Sequence, residues 1–250
     1  MEKTSHISLE IEHNLGIISI DNPPGNYLIK PEFIRVDILQ DWVEKNFLKG
    51  ILICGAGKHF SGGAELETLF SLSLGEELME YEINKGKALL RFIGNLNIPV
   101  IAAIRGVCFG GGLEIALACH IRICSNNTLF AFPETNHGIM PGLGGIDTFR
   151  EQTSFHETIK FVLSGDMINA EEAKSMKIVD YIVPTGDLIP DSMTLLKKMT
   201  EGRSLKVINY VMKALHNTRT MTLEEASKEE TRMFCELAKE EMRRRMNNEE

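Results

Sequence analysis

Residues 100–120 read VIAAIRGVCFGGGLEIALACH, an apolar run that meets three consecutive glycines and continues as a second apolar run holding one acid. The first run predicts a strand, and the second, from Gly111 on, predicts a helix. Glycine costs backbone entropy on folding, and an unpaired carboxylate among Leu, Ile and Ala is expensive. Two readings follow. Gly110, Gly111 and Gly112 form a tight packing turn with a solvated Glu114, or they form a site.

The rest of the chain supplies the frame for that strand–turn–helix unit. Ile7, Leu9 and Ile11 alternate, residues 17–20 are rich in β-branched side chains, and EHNLG between them predicts a hairpin. NPPGN at 22–26 breaks regular structure, and Phe33, Val36, Leu39 and Val43 give a helical pattern ahead of the apolar strand GILICG. Residues 76–96 read as a helix; IRICS, TLFAFPE and KIVDYIV read as strands. Asn169 with Glu172, and Thr222 with Glu225, have capping-box spacing. Beyond Pro190 no strand is evident, and Leu205, Ile208, Met212 and Leu215 mark an amphipathic helix. Strands alternating with helices imply crossover connections and largely parallel pairing, followed by an all-helical tail.

A chain of 250 residues can bury a substantial core. Its net charge of −8 argues against whole-molecule attraction to nucleic acid or an anionic membrane. The sequence has no apolar run of about 18 residues, and its start has neither a signal-peptide nor a transit-peptide plan. The five cysteines are odd in number, mostly within apolar stretches and without C-x-x-C spacing. Reduced thiols in a cytoplasmic protein are the expectation.

Two glycine-rich turns each follow a strand: FSGGAE at 60–65 and the triplet at 110–112. Alone, either fits a packing turn. Together they can supply two converging backbone N–H donors, one at a helix N-terminus, as an oxyanion hole requires. Glu114 falls in the first helical turn, where the dipole favours a carboxylate, and Glu134 follows Pro133 at the end of FAFPE. Apolar surroundings would raise either carboxyl toward acid–base use. Taken singly, each also fits a structural role.

FSGGAEL, PVIAAIRGVCFGGGLEIALACHIRI, FAFPETNHGIMPGLGG and LSGDMINAEEAKSMKIVDYIVP, in that order, resemble the successive blocks of the enoyl-CoA hydratase/isomerase (crotonase) superfamily across residues 7–185. The resemblance implies an α/β fold: a spiral of ββα units forming two roughly perpendicular sheets over residues 1–190. A C-terminal helical region, 191–250, would serve oligomerisation as trimers or hexamers. It also implies an acyl-CoA or acyl-carrier thioester substrate, with CoA as part of the substrate and no metal or redox cofactor. Ala64 and Gly111 match the oxyanion donors, and Glu114 and Glu134 the catalytic pair. In that pair Glu134 is read as the base that directs water and Glu114 as the acid side. Pro24, Asn26 and Leu28 with Gly62, Gly63 and Leu66 match the CoA-binding segment. Gly110, Pro133, His137 and Gly142 match the acyl pocket. Keeping both glutamates favours hydration of a 2-enoyl-CoA. The alternatives are an enoyl-CoA isomerase, a polyketide-type decarboxylase or dehydratase, or a non-catalytic scaffold with the same fold.

The chain departs from the family pattern at three places. Asp147 and Thr148 stand where a Gln-Arg pair is usual, and Tyr27 replaces a small residue. The end, AKEEMRRRMNNEE, lacks the basic segment that closes over CoA, so Arg243, Arg244 and Arg245 read as a solvated helix face. His59 reads as a loop histidine.

Overall fold

A computed structural model describes residues 2–4, 6–72 and 76–247. Strands β1 (Glu2–Thr4), β2 (Ile7–Glu12) and β3 (Leu15–Ile20) pair antiparallel. His13 and Asn14 join β2 to β3 with φ of 50° and 64°, the left-handed pair that a two-residue hairpin needs. From β3 onward the pairing is parallel, through β4 (Gly50–Gly55), β5 (Val100–Ile104), β7 (Ile121–Ser125) and β10 (Tyr181–Val183). These seven strands make one sheet in the order β1-β2-β3-β4-β5-β7-β10. A second sheet holds β6 (Val107–Phe109), β8 (Leu129–Ala131) and β9 (Ile168–Asn169).

Period-two alternation divides the large sheet's side chains between two cores. Ile18, Ile53, Ala102 and Ile104 face the larger core, under α1 (Val36–Lys45), α3 (Glu76–Gly94) and α4 (Gly111–Ala118). Leu15, Leu52, Ile101 and Ile123 face the opposite way, against Leu188, Met193 and Leu196 of α8 (Leu188–Thr200). Between these lie α2 (Leu66–Leu72), α5 (Gly145–Gln152), α6 (Phe155–Ser164) and α7 (Ala170–Ser175). Two long helices, α9 (Leu205–Thr220) and α10 (Leu223–Asn247), end the described chain and are joined by Lys206 to Glu236. The α/β class, the two sheets and the helical C-terminal region agree with the sequence expectation.

Both capping boxes are present. Asn169 Oδ1 accepts the Glu172 N–H at 3.0 Å, and Glu172 Oε2 accepts the Asn169 N–H at 2.8 Å. Thr222 and Glu225 make the same reciprocal pair at 3.3 and 3.0 Å. The TLFAFPE segment differs from expectation. Only Leu129–Ala131 is strand, because Pro133 cannot donate to a ladder and opens a 3-10 turn, Pro133–His137. Phe132, Phe149 and Phe161 pack beneath that turn, with Phe149 and Phe161 stacked at 4.7 Å between centroids. This aromatic cluster ties α5 and α6 to the end of β8 and so fixes where Glu134 sits. Arg122 is a buried cation whose Nε donates to Ile178 O at 2.6 Å and whose Nη1 donates to Cys119 O at 2.8 Å. Its own backbone N–H and guanidinium both meet the Asp180 carboxylate. Arg244 and Arg245 pair with Glu241 on the exposed face of their own helix.

Candidate active site

Backbone pairing after β4 brings the two glycine turns side by side. The N–H groups of Phe60 and Ser61 both donate to Val107 O at 3.1 Å, and the Phe109 N–H returns to Ser61 O at 3.0 Å. Segment 60–61 therefore runs alongside β6, and both chains reach their glycines together. Each glycine of the triplet has its own reason. Gly110 has φ +51° and ψ −125°, a conformation hostile to a side chain. A β-carbon on Gly112 would lie 2.7 Å from Ser61 O, so α4 packs backbone to backbone on the first turn. Gly111 opens α4, where its N–H has no intrahelical acceptor.

Leu28 positions the second donor. Its N–H donates to Gly63 O at 2.8 Å and its carbonyl accepts the Glu65 N–H at 3.1 Å, which leaves the intervening Ala64 N–H outside this bridge. Among the described residues, neither the Ala64 nor the Gly111 N–H has an acceptor. The two are close: a β-carbon on Gly63 would lie 3.4 Å from Gly111 N, and one on Gly111 would lie 3.9 Å from Ala64 N. Gly63 itself has φ +90°.

The two carboxyl groups lie near these donors in different surroundings. Glu114, 3% exposed, accepts the Leu143 N–H at 2.7 Å and the Gly145 N–H at 2.8 Å on the same oxygen. Burial raises its pKa from 4.5 to about 6, and the two N–H bonds and the charge of Lys87 on α3 hold it from going higher. Glu134 lies against Gly110, where an added β-carbon would sit 2.9 Å from Glu134 Oε1. Its Oε2 is buried without a partner among the described residues. Burial raises it to about 7; its own backbone N–H opposes this and the Glu114 charge adds to it. The carboxyl expected to be the base is thus the one more readily kept protonated. The hydrogen bonds favour ionised Glu114 instead.

Leu143 and Gly145 are not legible as site residues in the sequence. The available signal is the glycine pair ahead of α5: Gly144 turns at φ +99°, and a β-carbon on Gly145 would strike Glu114 Cγ at 2.6 Å. The remaining expected residues fall as follows. Asn26 is buried, and its side chain is occupied by the loops, donating to Ala56 O at 2.8 Å and His59 O at 2.7 Å and accepting the Asn22 N–H at 3.0 Å. Pro24 is exposed. The Tyr27 ring covers Gly25 and Gly62, so the substitution there makes a wall beside the first turn. Leu66 opens α2, and its side chain lies outside the described residues. Pro133 begins the turn that carries Glu134, and Gly142 faces Ile83 of α3. His137 is exposed at the end of that turn. Among the described residues no group of three His, Cys, Asp or Glu side chains is placed to hold a metal ion, and no helix is long and apolar enough to cross a membrane.

Comparison with known proteins places this arrangement in a family. The model of the enoyl-CoA hydratase/isomerase family matches residues 10–249. A "probable enoyl-CoA hydratase" of Bacillus subtilis is 30% identical over 232 residues, covering 92% of this chain and 89% of that protein. The alpha subunit of a fatty acid oxidation complex from Shewanella frigidimarina is also 30% identical over 92% of this chain, which spans only 33% of that longer protein. Among solved structures, an enoyl-CoA hydratase from Thermoplasma volcanium superposes with a TM-score of 0.78 at 25% identity, over 94% of this chain and 93% of that one. One from Bacillus anthracis, at 24% identity over 92% and 90% of the two chains, shares the fold with a TM-score of 0.81. The chain belongs to the enoyl-CoA hydratase/isomerase family.

Proposed function

We propose that this chain adds water across the double bond of a 2-enoyl-CoA thioester to give a 3-hydroxyacyl-CoA. The observation that carries this reading is the unequal carboxyl pair beside two uncommitted backbone N–H groups. The thioester oxygen sits between the N–H groups of Ala64 and Gly111, which stabilise the enolate as charge develops. Glu114, the carboxylate, takes a proton from water as the water oxygen bonds to the β-carbon. Glu134, kept protonated by burial, delivers a proton to the α-carbon. This ordering reverses the roles expected from the resemblance. It is supported by the backbone N–H bonds to Glu114 and by the unpartnered oxygen of Glu134. CoA enters as part of the substrate, along Leu28, Gly62 and Gly63, and the chemistry asks for no further cofactor.

Residues 1–190 supply the thioester site, and residues 191–250 supply assembly into a homotrimer or hexamer. Exposed Val211, Leu215, Phe234 and Met242 on α9 and α10 support an assembly surface. Four of the five thiols are buried and all five are free, in keeping with a reducing cytoplasm. The deciding experiment follows loss of enone absorbance when purified protein meets crotonyl-CoA, with Glu114→Gln and Glu134→Gln as controls. Absence of turnover on every short- and medium-chain enoyl-CoA refutes hydration, and conversion of 3-enoyl to 2-enoyl-CoA alone assigns isomerisation. Light scattering that returns a single-chain mass of 28.0 kDa refutes the assembly.

A further inference from the structure

A cleft of about 480 Å³ opens beyond the carboxyl ends of four parallel strands. Gly57–His59 follow β4, Arg105 and Gly106 follow β5, Asn127 follows β7 and Thr185 follows β10. In open parallel sheets this edge is where ligands gather. The cleft is not the thioester site. Val107 and Leu129 line it and begin β6 and β8, which run parallel from here to Gly110 and to the turn carrying Glu134. Three residues of strand put the two places about 10 Å apart.

The lining brings together Lys58, His59 and Arg105 and includes no carboxylate, in a chain of net charge −8. Arg105 makes no ion pair among the described residues, and its Nε is buried without a hydrogen-bond partner. Arg105 is half-buried, so part of its guanidinium still meets water, but a buried N–H without an acceptor is costly, and an anion in the cleft supplies that acceptor. His59 is not the free loop side chain expected from the sequence. Its Nδ1 accepts the Val107 N–H at 3.1 Å, so the ring proton belongs on Nε2. Asn127 Oδ1 is occupied by the hydroxyls of Ser125 and Thr185, at 2.6 and 3.2 Å, which leaves its NH2 as the remaining donor. The cleft therefore offers a guanidinium, an ammonium, an imidazole N–H and a carboxamide NH2, with no opposing charge.

We infer that this cleft is a second ligand site, separate from the thioester site, for a small phosphate-bearing anion such as a phosphomonoester or a pyrophosphate. The Arg105 fork suits two phosphate oxygens at once, and Lys58 adds charge at the mouth.

Calorimetric titration of the full-length protein with inorganic pyrophosphate tests this, with and without saturating CoA, for the native chain, Arg105→Gln and Lys58→Ala. The expected result is one site per chain, affinity lowered about tenfold or more by Arg105→Gln, as a lost charge-assisted bond implies, and binding unaffected by CoA. Lys58 is exposed, so Lys58→Ala keeps the fold and is expected to weaken binding even if Arg105→Gln disturbs folding. Absence of binding to the native chain, or binding by both variants as tight as that of the native chain, overturns the site. Displacement of pyrophosphate by CoA overturns its separateness and gives the cleft to the substrate's own phosphates. No readout depends on turnover, so these results stand apart from any test of hydration.

Discussion

Replacing Glu134 by Gln keeps the side chain's shape and removes its ionisation. In the folded chain this carboxyl is raised from 4.5 to about 7, because burial removes water and nothing but its own backbone N–H compensates. A raised carboxyl pKa means the folded state holds the proton more tightly than the unfolded chain. Ionisation therefore opposes folding: the cost is absent below pH about 4.5 and complete above about 7. At about 1.4 kcal/mol per pH unit the full cost is on the order of 3 kcal/mol, an upper bound because the group is only partly enclosed. Glu134→Gln should thus be more stable than the native chain at pH 8, by up to about 3 kcal/mol, with little difference at pH 4.5. For a domain of this size that is a rise of several degrees in unfolding midpoint. The same variant should lose hydration activity by at least about 100-fold, since amide cannot donate the proton. Thermal melts at both pH values, read beside crotonyl-CoA turnover, check both halves. A stability gain that is equal at pH 4.5 and 8, or no gain at either, refutes the account of why this carboxyl is protonated.

Gly63→Ala places a methyl group 2.8 Å from Phe109 O at φ +90°. It should cost about 1–3 kcal/mol of stability, and, by separating the two N–H donors, lower turnover about 100- to 1000-fold; near-native turnover in a folded variant argues against the donor pair. With Glu114 as base and Glu134 as acid, kcat/KM should rise as pH passes about 6 and fall as it passes about 7, the values belonging to the coupled pair. A flat profile from pH 5 to 8.5 rules that pairing out. Arg122→Met leaves the carbonyls of Ile178 and Cys119 without their donors, while Asp180 keeps its bond from the backbone N–H, and should lower stability by about 2–4 kcal/mol in urea unfolding while turnover of the folded fraction holds. Asn26→Ala frees Ala56 O and His59 O together, and should raise KM for crotonyl-CoA more than it lowers kcat.

Local chemistry makes much of the fold legible in the sequence. The hairpin through His13 and Asn14, both capping boxes and the strand–glycine–helix unit are each encoded within a few consecutive residues. Helix α8 is not, because Pro190 reads as a boundary. It sits in the first helical turn, where a missing N–H costs nothing, and the apolar residues that follow it seal a sheet face. Helices α5 and α6 also escape, since their apolar residues answer to Phe132, distant in sequence. The site divides along the same line. Glu114, Glu134 and the glycines stand in recognisable spacing, but which carboxyl ionises depends on the N–H groups of Leu143 and Gly145, twenty-nine and thirty-one positions from Glu114. No spacing rule reports a backbone hydrogen bond across that interval.

The two-faced sheet also sets an order of events on the ribosome. Leu15, Leu52, Ile101 and Ile123 are made early, yet every non-sheet residue of the core beneath them comes from α8. A nascent chain ending near residue 187 has all seven strands and one apolar side still bare. Translation must deliver the next thirteen residues, Leu188–Thr200, before that surface is shielded from neighbours and chaperones. A slow stretch of message that acts before these residues have left the exit tunnel would lengthen exposure, and one that acts after they have emerged would not.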